Sequence, residues 1–153
     1  KDIPPIIFQK SNLWVIQEYV PSEDGEFTIA VSRISNNLKV LQLRRKLFGD
    51  STGYAVVVKN HYIETYVQEI CSVLKGDFAF NVQLRLKESL PLAFEINPRF
   101  SSTVYARHLL GFPDLALWVS HSLGIDKKII FNAEIGDYFQ RYFSYKINKK
   151  NIN

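Results

Sequence analysis

The spacing of hydrophobic residues along the chain changes period several times, and each change marks an element. Residues 26–34 alternate, with Phe27, Ile29 and Val31 on one side and Glu26, Thr28, Ala30 and Ser32 on the other. That is the two-residue period of a strand. Residues 39–47 alternate too, Leu41 and Leu43 against Gln42, Arg44 and Lys46, so a hairpin through Asn36-Asn37 is predicted. A two-residue loop there would set Ile29 across from Arg44. An odd-length loop sets Ile29 opposite Arg45 and Val31 opposite Leu43, with Arg44 on the face of Glu26 and Thr28. Because the buried face selects register, the odd loop is expected. Residues 13–20 are apolar and β-branched enough for a further buried strand, stopped by Pro21 and a polar turn.

After Asn60 the period lengthens. Ile63, Tyr66, Val67, Ile70, Cys71 and Leu74 recur at helical spacing, which predicts a helix capped by Asn60, running to Lys75 and closed by Gly76. A second helix is expected from Pro113 to Gly124, burying Leu115, Trp118 and Val119, and a shorter one over residues 103–110. Residues 137–146 fit a strand or a helix equally well.

Residues 77–87 and 90–97 read as a hairpin turning near Ser89. Phe78, Phe80, Val82, Leu84 and Leu86 face one way on the first strand, and Leu92, Phe94 and Ile96 on the second. Matching these faces sets Gln83 opposite Glu95 and Asn81 opposite Asn97. Opposed Cβ atoms lie ~5 Å apart, so Gln83, Glu95 and Asn97 converge.

The patch offers hard oxygen donors without sulfur or imidazole, which suits Mg2+ beside phosphates and excludes a zinc site. Arg99, just past the strand, can grip a phosphate or acyl-phosphate with two N–H groups. The plainer alternative is that Asn97-Pro98 opens a turn while Glu95 pairs with Arg85 on the surface.

Glu95-Ile96-Asn97-Pro98-Arg99-Phe100, preceded by Asn81-Val82-Gln83, resembles the metal-binding end of the ATP-grasp fold. It is most similar to the branch of carbamoyl-phosphate synthase large chains and related carboxylate-amine ligases. Gln17-Glu18-Tyr19-Val20 resembles the hinge that borders adenine, implying nucleotide contacts from Glu18, Tyr19 and Val20. Gly25-Glu26-Phe27-Thr28 resembles the next segment, implying that Glu26 binds the ribose hydroxyls. Leu43-Arg44-Arg45-Lys46 resembles a basic strand facing the nucleotide, implying roles for Arg44 and Lys46.

The resemblance covers roughly residues 13–124 and implies an ATP-grasp C-terminal lobe. Such a lobe is α+β, an antiparallel β-sheet with helices packed on one side. The implied cofactors are ATP and Mg2+, with Mn2+ as a substitute. Gln83, Glu95 and Asn97 would be the metal ligands, and Arg99 the catalytic residue at the transferred phosphoryl group. The implied reaction is ADP-forming: a small-molecule carboxylate takes the γ-phosphate, and an amine or ammonia displaces it. Nothing here matches the family's lysine- and glycine-bearing N-terminal half. That half is therefore an expected partner, and the chain alone is expected to bind Mg-nucleotide weakly and to be inactive.

Composition bounds these readings. At 153 residues and 46% hydrophobic, the chain can bury one core. Residues 1–12 read as an extended lead-in, 125–147 as an extension packed on the lobe, and 148–153 as a disordered basic tail. The lone cysteine, Cys71, falls on the apolar side of its helix and reads as a core residue. No disulfide can form within the chain, which points to a reducing cytoplasm. No signal peptide or apolar run near the ~20 residues of a membrane span occurs. The absence of methionine leads us to expect a piece of a longer protein. Net charge is only +4, and the lysines at 146, 149 and 150 read as a solvated terminus ahead of a nucleic-acid arm. Two other functions compete with a ligase: a non-catalytic nucleotide-binding or regulatory module and, behind it, a nucleic-acid-binding domain.

Overall fold

The computed structural model describes residues 16–126 and 128–142. Among them, the alternating segments become β1 (Glu26–Ile34), β2 (Asn37–Phe48), β4 (Phe78–Lys87) and β5 (Leu90–Asn97), joined by β3 (Ser51–Val58), which the sequence pattern did not announce, and a short β6 (Tyr138–Gln140). They form one antiparallel sheet in the order β5-β4-β1-β2-β3-β6. Three helices complete an α+β fold: α1 (His61–Ser72), α2 (Val104–Leu109) and α3 (Asp114–Ser122). The lead-in and the basic tail lie outside the described residues.

Helix α1 packs its Ile63, Val67 and Cys71 stripe against Phe27, Ile29 and Val31 of β1 and Phe80, Val82, Leu84 and Leu86 of β4. Asn60 caps it, its side chain accepting from the Ile63 N–H at 3.2 Å. Buried Gln42 holds the cap in turn, accepting from Asn60 N–H and donating to Asn60 C=O. The helix ends at Ser72, short of Lys75. Arg33 of β1 donates to the carbonyls of Cys71, Leu74 and Gly76 and so satisfies that end. Burial pushes the Cys71 thiol above its ordinary value of 9.0, in keeping with a core role.

On the other face, Ala30, Leu41, Leu43, Ala55 and Val57 pack under Phe112, Phe131, Ala133 and Phe139. Gly111 is required where the two segments meet. Its φ is +89°, and a Cβ would stand 2.4 Å from the Asn132 side chain. The segment after α3 does more than pack on the lobe, because β6 pairs with β3 and extends the sheet.

Three expectations are corrected. The β1–β2 hairpin pairs Glu26 with Arg45, Ile29 with Gln42 and Val31 with Val40. Its loop is Ser35-Asn36, both left-handed at φ 48° and 65°, the turn whose twist matches a hairpin. Since β1 is buried on both faces, its apolar face alone could not choose the register. Second, Ile16 to Val20 carry no regular structure, and Ile16 is 56% exposed. That segment lies along the sheet, its Gln17 reaching the Phe94 carbonyl, and residues 13–15 lie outside the described range. Third, α3 leaves Leu115 and Val119 in solvent. It is oriented by buried Asp114 and by Trp118, whose Nε1–H donates to Ser32 Oγ at 2.8 Å.

Truncating Ile63 to Ala, a fully buried side chain, should destabilise the fold by about 2–5 kcal/mol in chemical denaturation. A loss under about 1 kcal/mol would contradict the central place given to α1.

Candidate functional site

The face opposite α1 is divided along its strands into an apolar half, described above, and a polar half. The polar half is built from Glu26 and Thr28 of β1, Arg45 of β2, Asn81, Gln83 and Arg85 of β4, and Glu95 and Asn97 of β5. Thr28 Oγ1–H donates to Asn81 Oδ1 at 2.8 Å, so two buried polar side chains satisfy each other.

The structure pairs Gln83 with Glu95 and Asn81 with Asn97. The route is indirect. From the Glu88-Ser89 turn, Lys87 pairs with Leu90, Arg85 with Leu92 and Leu84 with Ala93. Continued unbroken, that register would give Gln83 to Phe94 and turn Glu95 toward α1. The register shifts between Gln83 and Leu84, leaving Phe94 as an extra residue. This bulge brings Glu95 and Asn97 onto the polar face. The register set by the Glu88-Ser89 turn, ahead of the bulge, takes Leu92 and Phe94 out of the predicted apolar row, and both line a cavity.

Glu26 occupies the centre of the polar half and is 7% exposed. Its Oε1 accepts from Arg45 Nε at 2.9 Å and Nη2 at 2.6 Å. Its Oε2 accepts from Arg85 Nε at 2.9 Å and Nη2 at 2.7 Å. Burial disfavours its charge, but hydrogen bonds from Arg85 and Arg45 and their positive charges outweigh that, holding the carboxyl below its ordinary value of 4.5. A carboxylate offers about four acceptor sites, and all are used. The expected ribose contact by Glu26 therefore has no free acceptor in this arrangement.

Two cavities flank this carboxylate. One, of about 450 Å3, is lined by Gln17, Glu18, Tyr19, Val20, Arg85, Leu92, Ala93 and Phe94. Arg85 holds the hinge there, donating to the Val20 carbonyl at 2.6 Å, and its guanidinium lies 5.6 Å from the Tyr19 ring and 5.3 Å from the Phe94 ring. The Glu18 side chain points out to an exposed ion pair with Lys87. The other cavity, of about 260 Å3, is lined by Thr28, Arg45, Asp50, Thr52, Asn81, Gln83, Glu95, Arg99 and Ser101 to Thr103. Of the expected site residues, Glu18, Tyr19 and Val20 thus gather at the first cavity, and Gln83, Glu95 and Arg99 at the second.

Arg44 and Lys46 line neither cavity. Arg44 pairs with Phe27, so both residues alternate onto the α1 side of β2, and Arg45 takes the inward position. The register correction accounts for this. A sequence reading also misses Arg107 and Asp114, a buried pair only 2% exposed on each side, with Nη2 to Oδ2 at 2.7 Å. Arg107 also donates to Ser101 Oγ at 2.7 Å, which fixes the segment that leads from Arg99 into α2. Their spacing of seven residues across a helix break gives no periodic signal.

Residues 10–134 match a family described as ATP-grasp in the biosynthetic pathway with Ter operon. The chain belongs to the ATP-grasp family. An ATP-grasp domain of this kind is an ATP-binding module of ligase type. The crystal structure of the phosphoribosylaminoimidazole carboxylase ATPase subunit from Aquifex aeolicus shares the fold, with a TM-score of 0.50 and 23% identity. That similarity covers 59% of this chain and 29% of the other, so the chain spans under a third of its structural neighbour. No curated protein matches. Among the described residues no helix is long and apolar enough to cross a membrane.

The donor set of this ATP-grasp chain fits a hard cation shared with phosphates. Among the described residues no three His, Cys, Asp or Glu side chains cluster, so a cation here would combine the one Glu95 carboxylate with amide, phosphate and water oxygens, a set that suits Mg2+. Glu95 is exposed, and its carboxylate has no ion-pair or hydrogen-bond partner among the described residues; the predicted alternative pairing with Arg85 is absent. Asn97 Nδ2 is buried without a partner among the described residues, a donor that an incoming acceptor such as a phosphate oxygen can satisfy. Gln83 Oε1 accepts from Arg45 Nη2 and, as an amide oxygen, carries a second lone pair.

Glu26→Gln should lower stability at pH 7 by on the order of 3 kcal/mol, because two arginines lose their common carboxylate. The folded pKa of Glu26 is depressed, so its contribution is complete above about 4.5 and is lost as pH falls through the lower folded value. The gap between wild type and E26Q in urea unfolding should therefore narrow below pH 4.5. A gap constant with pH would contradict the ionised clamp.

Proposed function

We propose that this chain forms the base- and cation-binding lobe of an ADP-forming ligase, which activates a small-molecule carboxylate as an acyl-phosphate for attack by an amine or ammonia. The observation that carries this is the bulged pairing of Gln83 with Glu95, which sets free carboxylate oxygens beside Arg99 and next to a cavity walled by aromatic rings. The carbamoyl-phosphate synthase-like branch is our choice within the family, on the strength of Glu95-Ile96-Asn97-Pro98-Arg99.

In this reading a purine enters the first cavity and stacks between Tyr19, Phe94 and the Arg85 guanidinium, while hinge residues 18–20 meet its edge. The phosphates extend into the second cavity. Gln83, Glu95 and Asn97 would hold Mg2+ or Mn2+, which when bound neutralises phosphate charge as a Lewis acid. Arg99 is exposed and has no carboxylate partner among the described residues, so its guanidinium is available to the phosphoryl group as it moves to the substrate carboxylate. Arg45 contributes positive charge from the β2 side of the same cavity. The carboxylate substrate itself is the nucleophile, so no Ser-His or Cys-His pair is needed. A lysine- and glycine-bearing half closing over the phosphates is proposed to come from a further segment of the protein.

In the intact protein, Glu95→Gln should weaken Mg-ADP binding in calorimetry by at least ~10–100-fold, with the thermal unfolding midpoint little changed. Unaltered affinity would remove Glu95 from the site, and loss of folding would give it a structural role instead. Hydroxylamine added with ATP and candidate carboxylates should trap a hydroxamate. Nucleotide binding with neither hydroxamate nor ADP would favour the non-catalytic module.

A further inference from the structure

Two hydroxyl side chains in the wall of the smaller cavity take no part in the proposed function. Ser101 and Thr103 lie just beyond Arg99, in the turn that enters α2, and both line that cavity with it. Their protons can be placed by counting. A hydroxyl has one O–H to donate and two lone pairs that accept. Ser101 Oγ accepts from Arg107 Nη1 at 2.7 Å and from the Thr103 N–H at 3.4 Å, so both its lone pairs are used. The 2.7 Å contact between Ser101 Oγ and Thr103 Oγ1 must then carry the Ser101 proton. Thr103 Oγ1 accepts that proton, and also accepts from Arg107 Nη1 at 3.4 Å. The Thr103 O–H is left without an acceptor among the described residues, although Thr103 is only 2% exposed. A buried donor of this kind is costly until an acceptor enters.

We infer that the Thr103 hydroxyl is an oxyanion-binding donor, which with Arg99 seats an anionic oxygen of the transferred phosphoryl group or of the substrate carboxylate. Arg107 sets its direction. A guanidinium only donates, so it makes both hydroxyl oxygens accept and leaves the spare proton on Thr103. Asp114 holds Arg107 through Nε and Nη2, which leaves Nη1 for the two hydroxyls. Arg141 Nη2 donates to the Ser102 carbonyl at 2.7 Å, so a second arginine holds the turn before any ligand arrives. Glu95 and Asp50 line the same cavity, so an anion there depends on a cation at Glu95 and on donors such as these. The inference rests on the reading of this cavity as the phosphate and cation site.

The test uses the full-length protein saturated with Mg-ADP, titrated in a calorimeter with inorganic phosphate and, separately, with acetate. Wild type should bind at least one of the two. Thr103→Val keeps the shape of the side chain and removes the O–H. It should weaken that binding about 10-fold or more, as loss of a hydrogen bond to a charged group does. Whichever anion loses affinity identifies the oxygen that Thr103 seats. Thr103→Ser should bind as wild type does. Ser101→Ala should also stay close to wild type, because the Thr103 O–H remains free although Arg107 loses its shorter contact. That retention separates a ligand donor from a hydroxyl that only braces the turn, and it decides the matter if Thr103→Val fails to fold. Undiminished affinity for both anions in Thr103→Val, or a loss of about 10-fold in Ser101→Ala, overturns the inference. So does a wild type that binds Mg-ADP and neither anion. Failure to bind Mg-ADP at all instead refutes the reading of the cavities beneath it, and the inference falls with it.

Discussion

A central strand buried on both faces has to account for every polar side chain it carries. Strand β1 places Glu26, Thr28 and Ser32 in the interior, at 7%, 2% and 0% exposure. An unpaired polar group there costs about 1–3 kcal/mol, and an unpaired charge more. Each is met by a partner from a neighbouring element. Glu26 takes Arg45 from β2 and Arg85 from β4, Thr28 takes Asn81 from β4, and Ser32 takes Trp118 from α3. These pairings orient the inward face of three strands and dock α3 against the sheet. The polar half of that face therefore doubles as structural interior and candidate site wall.

The same economy shapes β5. A regular hairpin with β4 would have turned its carboxylate toward α1, where Val82 and Leu84 leave no room for charge. The extra residue at Phe94 reverses the facing of everything beyond it. The bulge thus sets the Glu95 carboxylate at one cavity beside a strand whose Phe94 ring lines the other. Beyond the strand, the buried Arg107–Asp114 pair and its bond to Ser101 hold the turn that carries Arg99.

Much of this was readable in advance where a single period dominates. The Ile63, Val67 and Cys71 stripe announced α1, and the Asn60 cap announced its start. The Gln83–Glu95 pairing was also legible, because matching apolar rows about Ser89 lands on the bulged register even though the turn proper is Glu88-Ser89. The β1–β2 register was not, since both faces of β1 are buried and its alternation marks no outer side. That error of register exchanged Arg45 for Arg44. It hid the clamp on Glu26, whose carboxylate is taken up by the two guanidinium groups. The orientation of α3 was missed for a related reason: hydrophobic spacing favours Leu115 and Val119, whereas a buried ion pair and one indole hydrogen bond decide it.

By itself, the sequence determined strands β1, β2, β4 and β5 and the three helices, the α+β class, and a set of oxygen donors and a hinge typical of an ATP-grasp lobe. Local periodicity and short motifs encode those features, and they survive any choice of partner. Tertiary structure alone decided which arginine faces inward, that Glu26 is spent on two guanidinium groups, and that Phe94 bulges. Those outcomes depend on strand register and on satisfying buried charge, both of which are properties of neighbouring strands together.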